Sequence, residues 1–310
     1  MMMRSIVYYV TFLFFISTFS FPVHCINETV FVEGGFESSN AFINYVVING
    51  VRYIIKQKKE CSKTRISVIR DALASYIARK LKIAHSVEII SPEDDISGKI
   101  YQHCPATLLT VAPGKIIRHL GENHKFFTLS LQQRNLEELD EKILNKWLDA
   151  TIISQITWHK QLPVIVALDI FLCNSDRHRG NLFYDDETDS FCAIDMDNIY
   201  RRNLPAFAYQ NLEKMINIDK KKFTQEEIQA ITKMKKTLEF LLQNYTPKKI
   251  IAQLYTFARQ AGYVDDGSEV NKSITKKIKS HKKIIKQSYQ SSRKLISLLD
   301  GIIAKSYDNL

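Results

Sequence analysis

Apolar side chains alternate with polar ones from Thr29 to about Lys58: Val30 and Val32, then Phe42, Tyr45 and Val47, then Tyr53, Ile54 and Ile55. A period of two predicts strands of a small antiparallel sheet, with Gly34-Gly35 and Asn49-Gly50 as the turns between them. The period then changes. From Arg65 to Leu81 the apolar residues Ile66, Ile69, Leu73, Tyr76 and Ile77 recur at helical spacing. Two more strands are predicted at Val87 to Ile90 and Thr107 to Val111, the second closed by Pro113-Gly114. Beyond that the pattern is mainly helical, over Leu139 to Lys160, Val164 to Leu172 and several segments from Gln225 onward. One interruption stands out, Asn181 to Asp197, where Leu182-Phe183-Tyr184 and Phe191 to Ile194 flank an acidic turn at Asp185 to Asp189. It reads as a lone hairpin inside a helical region. The fold class is α+β: a β-rich part with one helix over residues 26–112, then a larger helical part over 113–310.

The amino terminus carries a different signal. Arg4 precedes an almost unbroken apolar run from Ile6 to Pro22, and Val23-His24-Cys25 offers a cleavage site, so residues 1–25 read as a signal peptide. An uncleaved membrane anchor is the alternative, because the run approaches the roughly 20 residues that span a bilayer. Export to a secreted, periplasmic or secretory-lumen location follows from the first reading. The chain of 310 residues is 45% hydrophobic, which excludes a disordered chain, and its formal net charge is +10. That balance suits a polyanionic partner such as a nucleotide or a phospholipid headgroup, and lysine-rich solvated helices account for it equally well. Four cysteines follow Cys25, namely Cys61, Cys104, Cys173 and Cys192, with no zinc-like spacing among them. One or two disulfides fit an oxidising compartment, while Cys173 and Cys192 read as buried free thiols.

The chemistry concentrates in Asn174-Ser175-Asp176-Arg177-His178-Arg179-Gly180-Asn181, directly behind an apolar helix. Asp176 and Asn181 stand five positions apart, and Asp195 follows fourteen later at the end of the second hairpin strand. Phosphoryl transfer needs one carboxylate to orient the attacking hydroxyl, and an amide oxygen and a second carboxylate to hold magnesium against the phosphates. It also needs a lysine on a strand and an acid on the next helix; Tyr53-Ile54-Ile55-Lys56 and Asp71 supply them. Gly34, Gly35, Ser38 and Ser39 would form a turn able to bind phosphate oxygens.

Leu168-Asp169, Asn174-Ser175-Asp176-Arg177-His178, Asn181 and then Ala193-Ile194-Asp195 resemble the core signature of HipA-like kinases and of phosphatidylinositol 3- and 4-kinases. The resemblance implies a two-lobed protein-kinase-like fold with ATP and Mg2+ between the lobes. Carried over, Asp176 is the catalytic aspartate, Asn181 and Asp195 are the metal ligands, Lys56 is the phosphate-contacting lysine and Asp71 its ion-pair partner. Leu108, Leu109, Thr110 and Val111 become the hinge over adenine, and Arg177 and His178 either brace the loop or touch phosphate. Asp195 is followed by Met-Asp-Asn where these families commonly have a glycine within two residues, which makes Asp197 an additional ligand or the loop a stiffer one.

The expected function is an ATP-dependent phosphotransferase acting on protein Ser/Thr hydroxyls. A phosphoinositide kinase is the alternative, and an exported nucleotide-binding pseudokinase serving as an interaction module is the alternative of another class. No nucleic-acid partner is expected. A last helix pairs an apolar stripe, Ile274, Ile278, Ile285, Tyr289, Ile296, Leu299 and Ile303, with lysines on its other faces. It either lies on an anionic membrane or packs on the helical part with its basic side in water.

Overall fold

A computed structural model of the chain describes residues 31–37, 41–58, 61–91, 104–117, 157, 159–174, 176–177, 179–200, 223–263 and 269–307. The expected signal segment, residues 1–25, lies outside them, as do Ser38, Ser39 and His178. In chain order the elements are β1 (Phe31–Glu37), β2 (Ala41–Ile48), β3 (Val51–Lys58), α1 (Cys61–Lys80), β4 (Val87–Ile90) and β5 (Ala106–Thr110). Then come β6 (Lys115–Ile116), α2 (Leu162–Leu172), a 3₁₀ turn (Arg179–Asn181), β7 (Leu182–Asp185), β8 (Ser190–Ala193), α3 (Gln225–Asn244), α4 (Pro247–Gln260) and α5 (Glu269–Tyr307). The architecture is α+β, a small sheet-rich N-terminal part with one helix and a larger helical part.

Five strands form an antiparallel sheet in the order β1-β2-β3-β5-β4. Asn49 and Gly50 join β2 to β3 in a two-residue turn with both φ angles positive, 54° and 76°, the geometry that matches strand twist and that Asn-Gly tolerates. Gly34 and Gly35 are not a turn: they lie inside β1, beside a register shift between Val32 and Gly34. An extra residue there is a bulge, where a strand accommodates glycine.

Alternation sorts the sheet into two faces. Val46, Ile55, Ile90 and Ala106 cluster on one, with Leu108 and Tyr53 packed against them. Lys56 is opposite Thr107 in the register, one position out of step with that cluster, so it projects from the other face. The main core joins the buried side of α1, including Ile66, Ile69, Leu73 and Ile77, to α2 through α5 and to β7 and β8.

The hairpin is not alone. β6 pairs with β7, Lys115 opposite Tyr184 and Ile116 opposite Phe183, making a three-stranded sheet. The approach is close: a Cβ at Gly114 would sit 2.1 Å from the Tyr184 carbonyl oxygen, and its φ of 80° is one that side chains disfavour. A second strap joins Ala84 to Ala193 as a parallel bridge, with Ala193 N–H donating to the Ile83 carbonyl at 2.7 Å.

The predicted helix Leu139 to Lys160 falls mostly outside the described residues, and its end is not helical. Thr157 and Lys160 are in turns and His159 in a bend, because the His159 carbonyl and Nδ1 take the N–H groups of Leu162 and Gln161 that open α2. α3 starts at a capping box, with Thr224 Oγ1 accepting from Glu227 N and Glu227 Oε2 accepting from Thr224 N. In α5 the residues Ile274, Ile278, Ile285, Leu295, Leu299 and Ile302 are buried in the core, and Lys276, Lys279, Lys282, Lys283 and Lys286 are exposed. The membrane reading of this helix is therefore corrected: its apolar stripe faces α2, α3 and α4, and only the basic side meets solvent. Among the described residues, no helix is long and apolar enough to cross a membrane. Cys173 and Cys192 are buried and free, whereas Cys104 is disulfide-bonded.

Candidate active site

α2 is almost wholly buried and stops abruptly, because Cys173 takes a left-handed φ of 53°. Asn174 N–H returns to the Asp169 carbonyl at 2.8 Å, which turns the chain out of the helix. The turn is fixed by Asp169, from which the sequence predicted no chemistry. Its Oδ1 accepts from Asn174 Nδ2 at 2.7 Å and Arg177 Nη2 at 3.1 Å, and its Oδ2 accepts from Arg177 Nε at 2.9 Å. Arg177 is 4% exposed and gives its remaining Nη1 to the carbonyls of Asn181 at 2.7 Å and Ile194 at 3.2 Å. Of the two roles open to Arg177, bracing is the one its geometry serves.

The brace brings the predicted residues together. Asn181 is buried; its Nδ2 donates to the Asp176 carbonyl at 2.8 Å, and its own carbonyl accepts from Ile194 N at 3.1 Å. Asp176 N–H donates to Asn174 Oδ1 at 3.2 Å, and its side-chain Oδ2 accepts from Asn198 Nδ2 at 2.6 Å. Asn198 is the residue that sequence reasoning missed. No periodicity or motif marks it; its only signal is its place in Asp195-Met196-Asp197-Asn198.

Asp195 follows β8 at a left-handed φ of 50°, with its carboxylate 37% exposed. It forms an ion pair with Lys56 Nζ, across 139 positions of sequence. The expected pair of Lys56 with Asp71 is thus corrected. Asp71 is buried on α1 and its Oδ1 accepts from Met196 N at 3.2 Å, so it reaches Lys56 through the field rather than by contact. Asp197 is buried too and accepts from Ser67 Oγ of α1, which ties the stretch after Asp195 to that helix.

Three carboxylates and one ammonium share this space. Burial works to lower the Lys56 pKa, but Asp195, Asp71 and Asp197 outweigh it and hold the ammonium above its ordinary range. For Asp71 burial dominates and pushes the carboxyl up to about 6, against the attraction of Lys56 and with the repulsion of Asp195 and Asp197. His85, on the strap from α1 to β4, is lowered to about 4 by burial and by Lys56, so it is neutral near pH 7. Its Nδ1 is buried with no partner.

The hinge residues divide. Leu109 shares the Lys56 face, being paired with Ile54, and Val111 is exposed at the end of the strand. Leu108 packs on the opposite face with Val46 and Ile55, so its side chain does not share the face of Lys56. Thr110 is engaged elsewhere: its N–H donates to the Ser86 carbonyl at 3.1 Å and its Oγ1 accepts from Ser86 N at 3.0 Å. Gly34 and Gly35 lie in β1 as described, and Ser38, Ser39 and His178 fall outside the described residues.

A magnesium ion prefers hard oxygen ligands. Asn181 has its amide nitrogen engaged on Asp176, which directs its Oδ1 away from that contact, and Asp195 presents a half-open carboxylate already facing a cation. Both are oxygen donors of the type such an ion takes, while among the described residues no group of three or more His, Cys, Asp or Glu side chains is placed to hold a metal.

No family profile matches the chain, and no curated protein matches it. Among solved structures it is similar to the Helicobacter pylori proinflammatory kinase CtkA, at 13% identity and a TM-score of 0.46, over 87% of this chain and 97% of that one. It is also similar to a Plasmodium vivax ethanolamine kinase, at 10% identity and a TM-score of 0.30, over 84% of each chain. A third is a spectinomycin phosphotransferase in complex with ADP and spectinomycin, at 14% identity and a TM-score of 0.25, covering 85% of this chain and 93% of that one. Identities this low concern architecture alone, so the chemistry is argued from the side chains.

Proposed function

We propose that the protein is an ATP-dependent phosphotransferase with a hydroxyl acceptor. The observation that carries the reading is the meeting of Lys56, from the sheet, with Asp195, from the hairpin, where Asn181 and Asp176 are already bound to one another. Lys56, kept protonated by its neighbours, contacts the nucleotide phosphates. Asp176, held through its carbonyl, its N–H and its carboxylate, accepts the hydrogen bond of the attacking hydroxyl and orients it. Asn181 and Asp195 would hold Mg2+, which would supply the positive charge that offsets the nucleotide phosphates. The Arg177 and Asp169 brace keeps those ligands in place without touching substrate.

A protein Ser/Thr hydroxyl is the acceptor we favour. The inositide alternative draws on Asp176-Arg177-His178 and on the basic C-terminal helix; of the first, Arg177 is buried against Asp169 and serves as a brace. A HipA-like or phosphatidylinositol 3- and 4-kinase-like relationship is part of the same proposal. We also propose export through the N-terminal segment; the Cys104 disulfide suits an oxidising compartment, and the mass of the mature chain checks cleavage near Ile26.

Purified protein incubated with labelled ATP, magnesium, a protein extract and mixed inositides tests the reading. Label in protein that is lost in Asp176→Asn supports it, and label confined to lipid transfers it to the inositide alternative. With no transfer, a MgATP-dependent rise in melting midpoint would leave an interaction module, since only ligands of the folded state raise it.

A further inference from the structure

We propose that the basic face of α5 is a docking surface for an anionic phospholipid bilayer, to which the protein adsorbs by charge without inserting. Lys276, Lys279, Lys282, Lys283, Lys286 and Lys294 are all exposed. Their spacing of mainly three and four residues stacks them on one side of the helix, over a run of about 27 Å. Among the described residues none of the six pairs with an acid, and Glu269 and Asp300 are the acidic residues of the whole helix.

Solvation alone does not call for this arrangement. α3 also has a solvated side and mixes three acids with three lysines; its Lys235 meets Glu239 at 3.3 Å and Asp300 at 2.7 Å. α5 instead places like charges three and four residues apart, as at Lys279 with Lys282 and Lys283, and such neighbours destabilise a helix. A negative surface on that side removes the penalty.

The side chains select the kind of surface. Lysine is a compact point charge that suits a diffuse negative field, whereas discrete phosphates and carboxylates are gripped by the arginine fork. The one arginine of the helix, Arg293, is turned to its own element, with Cζ 5.0 Å from the centre of the Tyr289 ring. Protein interfaces are depleted in lysine and anchored by aromatic side chains, and single-stranded nucleic acid is held on aromatic platforms. Among the described residues, α5 exposes no large apolar side chain. Burial of its apolar stripe against α2, α3 and α4 excludes insertion and leaves adsorption.

The test is co-sedimentation of the full chain with vesicles of phosphatidylcholine, alone or with about three parts in ten phosphatidylserine. Neutral vesicles register whatever the apolar N-terminal segment contributes, so the reading is the ratio of the two partition coefficients. We expect a ratio above about 100 at low salt, falling at least about tenfold between roughly 0.05 M and 0.5 M salt. Replacing Lys279, Lys283 and Lys286 together by glutamine should lower the ratio about tenfold to a hundredfold, with a melting midpoint at or above that of wild type because like charges are relieved. Arginine at the same three positions should retain it. Lys233, Lys236 and Lys248 replaced together by glutamine remove the same charge from exposed positions of α3 and α4 and should leave the ratio within about threefold. A wild-type ratio near one, a ratio indifferent to salt, or equal losses in the two glutamine variants overturns the proposal. Polyglutamate or duplex DNA that binds where the vesicles do not, and loses binding in the α5 variant, assigns the face to an acidic protein or a nucleic acid and overturns it too.

Discussion

Arg177 meets the single carboxylate of Asp169 through two N–H donors, while Lys56 stands among the carboxylates of Asp71, Asp195 and Asp197. Around Arg177 donors and acceptors are matched: the guanidinium reaches Asp169 and two carbonyls, and Asn174 completes Asp169. Around Lys56 negative charge exceeds positive. A lysine held so firmly in its charged form ought to draw its partners down, yet Asp71 is pushed up to about 6. The number of groups reconciles the two directions, because one cation divided among three acids cannot offset the burial of the deepest. A matched cluster holds a shape. An outnumbered lysine leaves a place where additional positive charge is welcome, which is what a magnesium site requires.

Removing Arg177 should break the contrast most severely. Arg177→Leu strands a buried carboxylate at Asp169, and we expect a loss of about 3–5 kcal/mol in urea unfolding, largely recovered when Asp169→Leu is added. Next come the pH slopes. Asp71 has a folded value near 6 against an ordinary 3.8, so between them the unfolded chain loses its proton first and stability falls as pH rises. His85 works in the opposite sense: folded near 4 against 6.5, it lets the unfolded chain gain a proton first as pH falls, and stability falls with it. Each contributes at most about 3 kcal/mol across its window. Melting midpoints between those limits should climb more steeply with pH in Asp71→Asn and decline with pH in His85→Gln. Magnesium alone should then raise the wild-type midpoint, by about 1–3 kcal/mol of stability near saturation, and do so weakly in Asp195→Asn. The smallest effect belongs to the exposed Lys160 and Asp189 pair at 3.2 Å, where Lys160→Ala should change stability by less than about 0.5 kcal/mol.

Much of the sheet is legible in sequence because alternation and an Asn-Gly turn act locally: β2, β3 and the turn at Asn49-Gly50 fall where the pattern predicts. Gly34-Gly35 misleads for the same reason, since glycine marks bulges as well as turns and only the partner strand decides between them. β6 has two residues, too few for any period, and exists because β7 is there to pair with it. At the site, the spacing of Asp176, Asn181 and Asp195 is a property of the chain and can be read from it. Which acid Lys56 touches depends on how deep α1 sits, and Asn198 matters through a contact spanning 22 positions. Neither leaves a local trace.

The hairpin that carries Asn181 at one end and leads to Asp195 at the other is fastened twice, by Lys115 and Ile116 pairing with β7 and by Ala84 bridging to Ala193 of β8. A single methyl group at position 114 would press on the Tyr184 carbonyl and so disturb the first of these pairings from outside the hairpin itself.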